Sequence, residues 1–156
     1  MKLDDKRFLE VIDAVPLVAV DLIIRNADGE VLLGRRRNRP AKGFWFVPGG
    51  RIRKNERISE AIARVSRSEL GIVVPGEEAS LLGVFEHLYV DNFLGIEGID
   101  THYVVLAFAF DLEACPPIRL DDQHSEMRWW RMDELLQSPA VHQNTKDHFI
   151  RTNREI

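Results

Sequence analysis

Residues 49–72 read GGRIRKNERISEAIARVSRSELGI, and the rest of the chain is organised around them. The stretch opens on Gly49-Gly50, passes through a charged turn and closes on Gly71. Nothing from Glu56 to Leu70 breaks a helix, and Ile58, Ala61, Ile62 and Val65 recur on one face at a 3.6-residue period. Gly71 is a natural C-terminal stop. Glu69 falls on the same apolar face. A carboxylate there is costly unless something pairs with it. Two readings stand: a last turn open to water or closed by a salt bridge, and a carboxylate that holds a cation.

The composition sets the frame. A chain of 156 residues is expected to form one domain over 1–156 and to bury a real core. Apolar residues make up 45% and charged residues 29%, which is globular and not disordered. A net charge of -4 gives no electrostatic reason to bind nucleic acid. Cys115 is the only cysteine, which excludes an internal disulfide. The first residues, MKLDDKRFLE, lack the apolar centre of a signal peptide, and no apolar run reaches membrane-spanning length. A cytoplasmic protein with no membrane partner is expected.

Phe8, Val11, Ile12 and Val15 predict a short amphipathic helix before Pro16. Leu17–Arg25 reads as a strand, residues 26–29 (NADG) as a turn, and 30–36 as the partner strand of a hairpin. Residues 44–47 (FWFV) read as a short strand ended sharply by Pro48-Gly49-Gly50. Strands follow at 81–90 and 101–111, with a loop at 91–100 between them. Cys115-Pro116-Pro117 breaks the chain, 123–126 is a polar turn, 127–131 a short strand, and 133–136 and 141–151 are helices. Strands interleaved with few helices predict an α/β (α+β) fold with a mixed sheet covered by helices.

The spacing across residues 50–72 resembles the Nudix box. That motif is a glycine, five residues, a glutamate, seven residues, then R-E-U-x-E-E-x-G-U with U aliphatic. Gly50, Glu56, Arg64, Glu69, Gly71 and Ile72 match it, while Val65 and Ser68 replace two glutamates and Ser66 an aliphatic residue. The lead-in, residues 44–50, is similar as well. The resemblance implies a Nudix α/β/α sandwich with a central mixed β-sheet and a loop-helix catalytic motif. The departures themselves resemble the GDP-mannose mannosyl hydrolase subfamily. That likeness runs through Pro16-Leu17-Val18, Asn38-Arg39-Pro40-Ala41, Asp91-Asn92-Phe93, residues 101–105 and Gln123-His124. It implies magnesium, with manganese as a substitute, a GDP-sugar substrate and a homodimer. It also implies attack by water on the anomeric carbon with inversion, not on phosphorus.

The resemblance carries roles onto particular residues. His124 matches the general base, and imidazole suits that task because its pKa lies near neutrality. Gly50 through its carbonyl, Glu69 and Gln123 match the metal ligands. Arg36 and Arg51 match arginines that stabilise the departing GDP, since a guanidinium fork fits phosphate. Asp21, His87 and Tyr103 match residues around the sugar and diphosphate.

Taken from the residues alone, several of these positions have blander readings. His124 and Gln123 are polar groups in a turn. Asp21 sits in the apolar run Val20-Asp21-Leu22-Ile23 and either needs a partner or faces water by strand alternation. Arg36 belongs to a run with Arg35 and Arg37 that is equally a solvated face. Glu56 and Arg64 are expected on the side of the helix away from Glu69, Arg64 in a salt bridge that braces the loop. Trp129 and Trp130 alternate, one inward and one outward. His142 and His148 are expected on the surface.

Overall fold

The computed structural model describes residues 2–113 and 124–150, without the side chains of residues 124 and 125. Helix α1 (Asp5–Ala14) is capped by Asp4, whose side chain accepts from Arg7 N–H at 2.9 Å, and it buries Ile12. Strand β1 (Leu17–Arg25) is buried along nearly its whole length, as expected of a central strand covered on both faces. A turn follows in which Asn26 accepts from the N–H groups of Asp28 and Glu30 and donates to the Glu30 carboxylate. Such Asx geometry is why Asn-Ala-Asp-Gly turns here.

Strand β2 (Val31–Arg36) returns, but the hairpin is only a stem: Arg25 opposite Val31 is its one paired position. β2 then leaves β1 to pair with β3 (Trp45–Phe46) and with β7 (His124–Trp130), both antiparallel. The freed edge of β1 is taken by β4 (Gly49–Arg51), with Ala19, Val20 and Asp21 opposite Arg51, Gly50 and Gly49. Gly49-Gly50 is therefore strand, not the sharp end of one. β7 likewise begins at His124, where a turn was expected. Residues 115–117 and Gln123 lie outside the described residues.

Helix α2 (Ile58–Leu70) follows β4 and ends on Gly71 at φ 72°, the left-handed cap its glycine permits. β5 (Ser80–Tyr89) and β6 (Thr101–Asp111) form an antiparallel pair, and β6 runs parallel to β1 from Leu17 opposite Tyr103 to Arg25 opposite Asp111. The order is β3-β2-β1-β6-β5, a mixed sheet. Helices α3 (Met132–Gln137) and α4 (Gln143–Ile150) complete the described chain.

Strand alternation divides the core into two layers. Val20, Leu22 and Ile24 of β1 meet Ala61, Ile62, Val65 and Leu70 of α2 on one face. Ile23 meets Val31, Phe85, Val105, Ala107 and Trp130 with Leu135 of α3 on the other. Ile62 is fully buried, so Ile62→Ala would cost about 2–5 kcal/mol. Trp130 is the inward tryptophan, and Trp129 packs half-buried against the α2 layer. By the same alternation Asp21 shares the face of Ile23, which turns its carboxylate toward α4.

Candidate active site

A cleft of about 580 Å³ opens where β4 replaces β2 beside β1. It collects residues that are far apart in sequence: Asp21 from β1, Arg36 from β2, Gly50 and Arg51 from β4, Glu69 from α2, His87 from β5 and Tyr103 from β6. Each of the seven borders this one space. His124 is placed by its backbone alone, opposite Arg36 in the β2–β7 ladder. Gln123 is not among the described residues.

Glu69 lies at the floor on the α2 side. It is 5% exposed, and its Oε2 accepts the backbone N–H of Gly49 at 3.1 Å. The last helical turn is therefore not open to water, and the inward carboxylate is held by Gly49, the first residue of the motif. Val65 lies beneath Gly50, where a Cβ on Gly50 would meet Val65 Cγ2 at 2.9 Å. Glycine is needed there for close approach, not for an unusual φ. Of the α2 residues that border the cleft, Arg64, Val65, Ser68 and Glu69, only Glu69 is acidic.

Arg64 does brace the loop. Its Nε donates to Glu56 Oε1 at 2.6 Å, and its Nη2 donates to the Arg51 carbonyl at 2.8 Å. Glu56 Oε2 in turn accepts Arg53 N–H at 2.9 Å. The Arg64 guanidinium beside Glu56 holds that carboxyl down at about 2. Two details differ from expectation: Glu56 precedes the helix, and Arg64 borders the cleft together with Glu69.

The guanidinium groups are held from below by aromatic faces. Arg51 lies 4.6 Å from the Phe8 ring centre and Arg36 5.7 Å from that of Phe46. Arg36 Nε also donates to the Pro40 carbonyl at 3.0 Å. Phe8 packs on Phe93 from the loop between β5 and β6. That loop is tied by buried Asn92, which donates to the carbonyls of Ile96 and Ile99 and accepts from Leu94 and Ile96 N–H.

At the α4 side of the cleft, His87 and Tyr103 face each other across β5 and β6. Burial pushes the His87 imidazole down to about 4, so the ring is neutral near pH 7, and its Nε2 has no partner among the described residues. Burial pushes the Tyr103 phenol up, against the pull of Arg36 and Arg51, so it remains a hydrogen-bond donor. Asp21 is not a strand-edge residue facing water: it is 9% exposed, and its Oδ2 lies 2.8 Å from His148 Nε2.

His148 is a residue that sequence reasoning missed. Expected on the surface, it is 2% exposed, because α4 packs its Thr145 and His148 face inward. His142 is half-buried against Phe44 and Phe46, and burial lowers its pKa. The signal for His148 was present: Val141, Thr145 and His148 recur at helical spacing, the same pattern that marked Glu69.

A NUDIX domain model matches residues 15–152. The chain belongs to the Nudix family. Among curated Nudix relatives and other similar proteins, it is 44% identical over 128 residues to the low-salt glycan biosynthesis protein Agl8 of Haloferax volcanii, covering 81% of this chain and 78% of that one. It is 41% identical over 70 residues to an ADP-ribose pyrophosphatase of Methanocaldococcus jannaschii, a match spanning 45% of this chain and 40% of that protein. Among solved structures, a MutT protein from Methanosarcina mazei Go1 superposes with a TM-score of 0.72 at 26% identity, covering 91% of this chain and 96% of that one.

Nudix hydrolases generally use divalent ions such as magnesium. The donor here fits a hard cation: a buried carboxylate already oriented by a backbone N–H. Among the described residues Glu69 is not in a cluster of three side-chain ligands, so substrate oxygens and water would have to fill much of an octahedral shell. No helix of the described chain is long and apolar enough to cross a membrane.

Proposed function

We propose that this Nudix hydrolase is a GDP-mannose mannosyl hydrolase, a magnesium-dependent enzyme that releases GDP and free mannose. It acts as a homodimer, with the whole of residues 1–156 as one domain. The observation that carries this reading is the α2 wall of the cleft. Where the Nudix box has glutamates at 65 and 68, this helix brings a valine methyl packed on Gly50 and a serine whose Oγ is turned back to the Val65 carbonyl. A wall with one carboxylate supports charge neutralisation at a leaving diphosphate, and does not favour assembly of several ions around an attacked phosphorus. The glycan-biosynthesis description of the Haloferax relative supports a nucleotide sugar as substrate.

In this reading Glu69, the Gly50 carbonyl and Gln123 hold magnesium, which when bound neutralises diphosphate charge. Arg36 and Arg51 bear on the diphosphate, and Tyr103 donates a hydrogen bond to it. Asp21 and His87 flank the sugar. Water attacks the anomeric carbon from the face opposite GDP. Its oxygen forms the new bond to carbon, the old carbon–oxygen bond breaks, and its electron pair leaves on GDP. His124 takes the water proton. GDP needs no proton to depart once its charge is neutralised, so no second carboxylic acid is required, unlike ordinary glycoside hydrolysis.

The rival reading is cleavage at phosphorus to GMP and mannose phosphate, which the local likeness to an ADP-ribose pyrophosphatase favours. Incubation with GDP-mannose and magnesium in isotopically labelled water separates the two by phosphorus NMR and mass spectrometry. GDP with label on mannose supports the proposal. GMP with mannose phosphate overturns it in favour of the rival, and intact substrate overturns the assignment of GDP-mannose.

A further inference from the structure

Asp21, His87 and His148 form a buried group whose potential ligand atoms all lie within 4.8 Å of one another. Two of the three border the cleft, and His148 does not. His148 reaches Asp21 from α4, at the far end of the described chain, through the 2.8 Å contact of Nε2 with Oδ2. Its ring is clamped edge-on by Phe85 at 4.5 Å and packs beside His87 at 5.5 Å. The orientation of the imidazole is thus set by packing before any substrate arrives.

The tautomer follows from the surroundings. His148 Nδ1 is buried and has no partner among the described residues. A proton on Nδ1 would be a buried donor with no acceptor, while Asp21 lost its donor at Oδ2. A proton on Nε2 satisfies the carboxylate and leaves only a lone pair unmatched. An ion bound through Nε2 would force the proton onto Nδ1, so the same orphaned atom argues against a metal in this cluster.

With Oδ2 occupied, the other oxygen is the one left for a ligand. Asp21 Oδ1 lies on the Gly49 side, so close that a Cβ at Gly49 would collide with it. We propose that His148 is a positioning residue: by donating from Nε2 to Asp21 Oδ2 it sets the carboxylate so that Oδ1 accepts a sugar hydroxyl in the cleft. His87 Nε2, also buried and without a partner among the described residues, supplies the adjacent polar atom for the same sugar. The proposal rests on the nucleotide-sugar reading above and adds a residue that touches no substrate. Gly49 belongs to the same device, because only a residue without a side chain leaves room for Oδ1.

The test combines spectroscopy with two substitutions. Long-range proton–nitrogen NMR of the wild-type protein should show the His148 signal, identified by its loss in His148→Phe, as the Nε2–H tautomer. His148→Phe keeps a ring in the pocket but removes the donor. It should lower kcat/KM for GDP-mannose roughly tenfold or more through loss of orientation, with GDP affinity unchanged. His148→Gln restores an N–H donor and should recover a substantial part of the loss. An Nδ1–H tautomer overturns the proposal. So does wild-type kcat/KM in His148→Phe, an equal fall in GDP affinity, or stoichiometric zinc binding by the wild type that removes the Nε2 proton signal. If wild-type protein leaves GDP-mannose intact, the substrate reading has failed and the tautomer alone decides the positioning.

Discussion

The backbone N–H of Gly49 donates to Oε2 of Glu69, joining the first residue of the loop-helix motif to its last inward carboxylate. The contact makes the motif a closed unit, with the loop held by the helix it precedes. Glu69→Gln keeps an oxygen to accept that bond and removes the charge. Turnover of GDP-mannose should fall at least about a hundredfold, since a metal ion supplies several kcal/mol of charge stabilisation. Kinetics against magnesium concentration checks this, and a wild-type magnesium dependence would remove Glu69 from the ligand set.

His124→Gln removes the proposed base. Turnover should drop by roughly two decades or more, while GDP affinity measured by calorimetry is unchanged. Near-normal turnover would mean that another group accepts the water proton.

The Arg64–Glu56 pair has a pH signature. Glu56 is held at about 2 in the folded protein against 4.5 as a free group. Its folded pKa is lowered, so the stability it contributes is fully present above about pH 4.5 and is lost as pH falls toward 2. Thermal unfolding between these limits should show that loss, and Glu56→Gln should flatten the slope there while lowering stability at neutral pH. An unchanged slope would show that other carboxylates carry it.

His87 acts in a higher window. Its folded pKa is about 4 against an ordinary 6.5. Between these values the unfolded chain binds a proton that the folded protein refuses, so stability declines as pH falls from about 6.5 to 4. His87→Gln should shallow that decline in a melting-temperature series. Because wild-type His87 is already neutral near pH 7, it should not produce an activity limb near pH 6.5.

Gly50 and Val65 are coupled by contact. Gly50→Ala places a methyl 2.9 Å from Val65 Cγ2, inside a packed layer. It should destabilise by about 1–3 kcal/mol. In the Val65→Ala background the same change should cost less, so a double-mutant cycle from urea unfolding should give a favourable coupling of about 0.5 kcal/mol or more. Strict additivity would show that the strain lies elsewhere.

The sequence by itself determined the loop-helix and its family, because the motif is local: glycines, helix period and cap all lie within residues 49–72. It also determined β1 and β6, whose continuous apolar runs match their final bounds at Leu17–Arg25 and Thr101–Asp111. Glu69 was legible as an inward carboxylate for the same reason. Tertiary structure decided what depended on distant partners. β2 leaves β1 because β7 offers it an edge, and Gly49-Gly50 becomes strand because that edge of β1 is then vacant. Asp21 and His148 stand 127 residues apart, and neither shows in sequence which partner offsets the cost of burying it. Helix period can say that a polar side chain points inward; only the packing of α4 on the sheet says what it meets there.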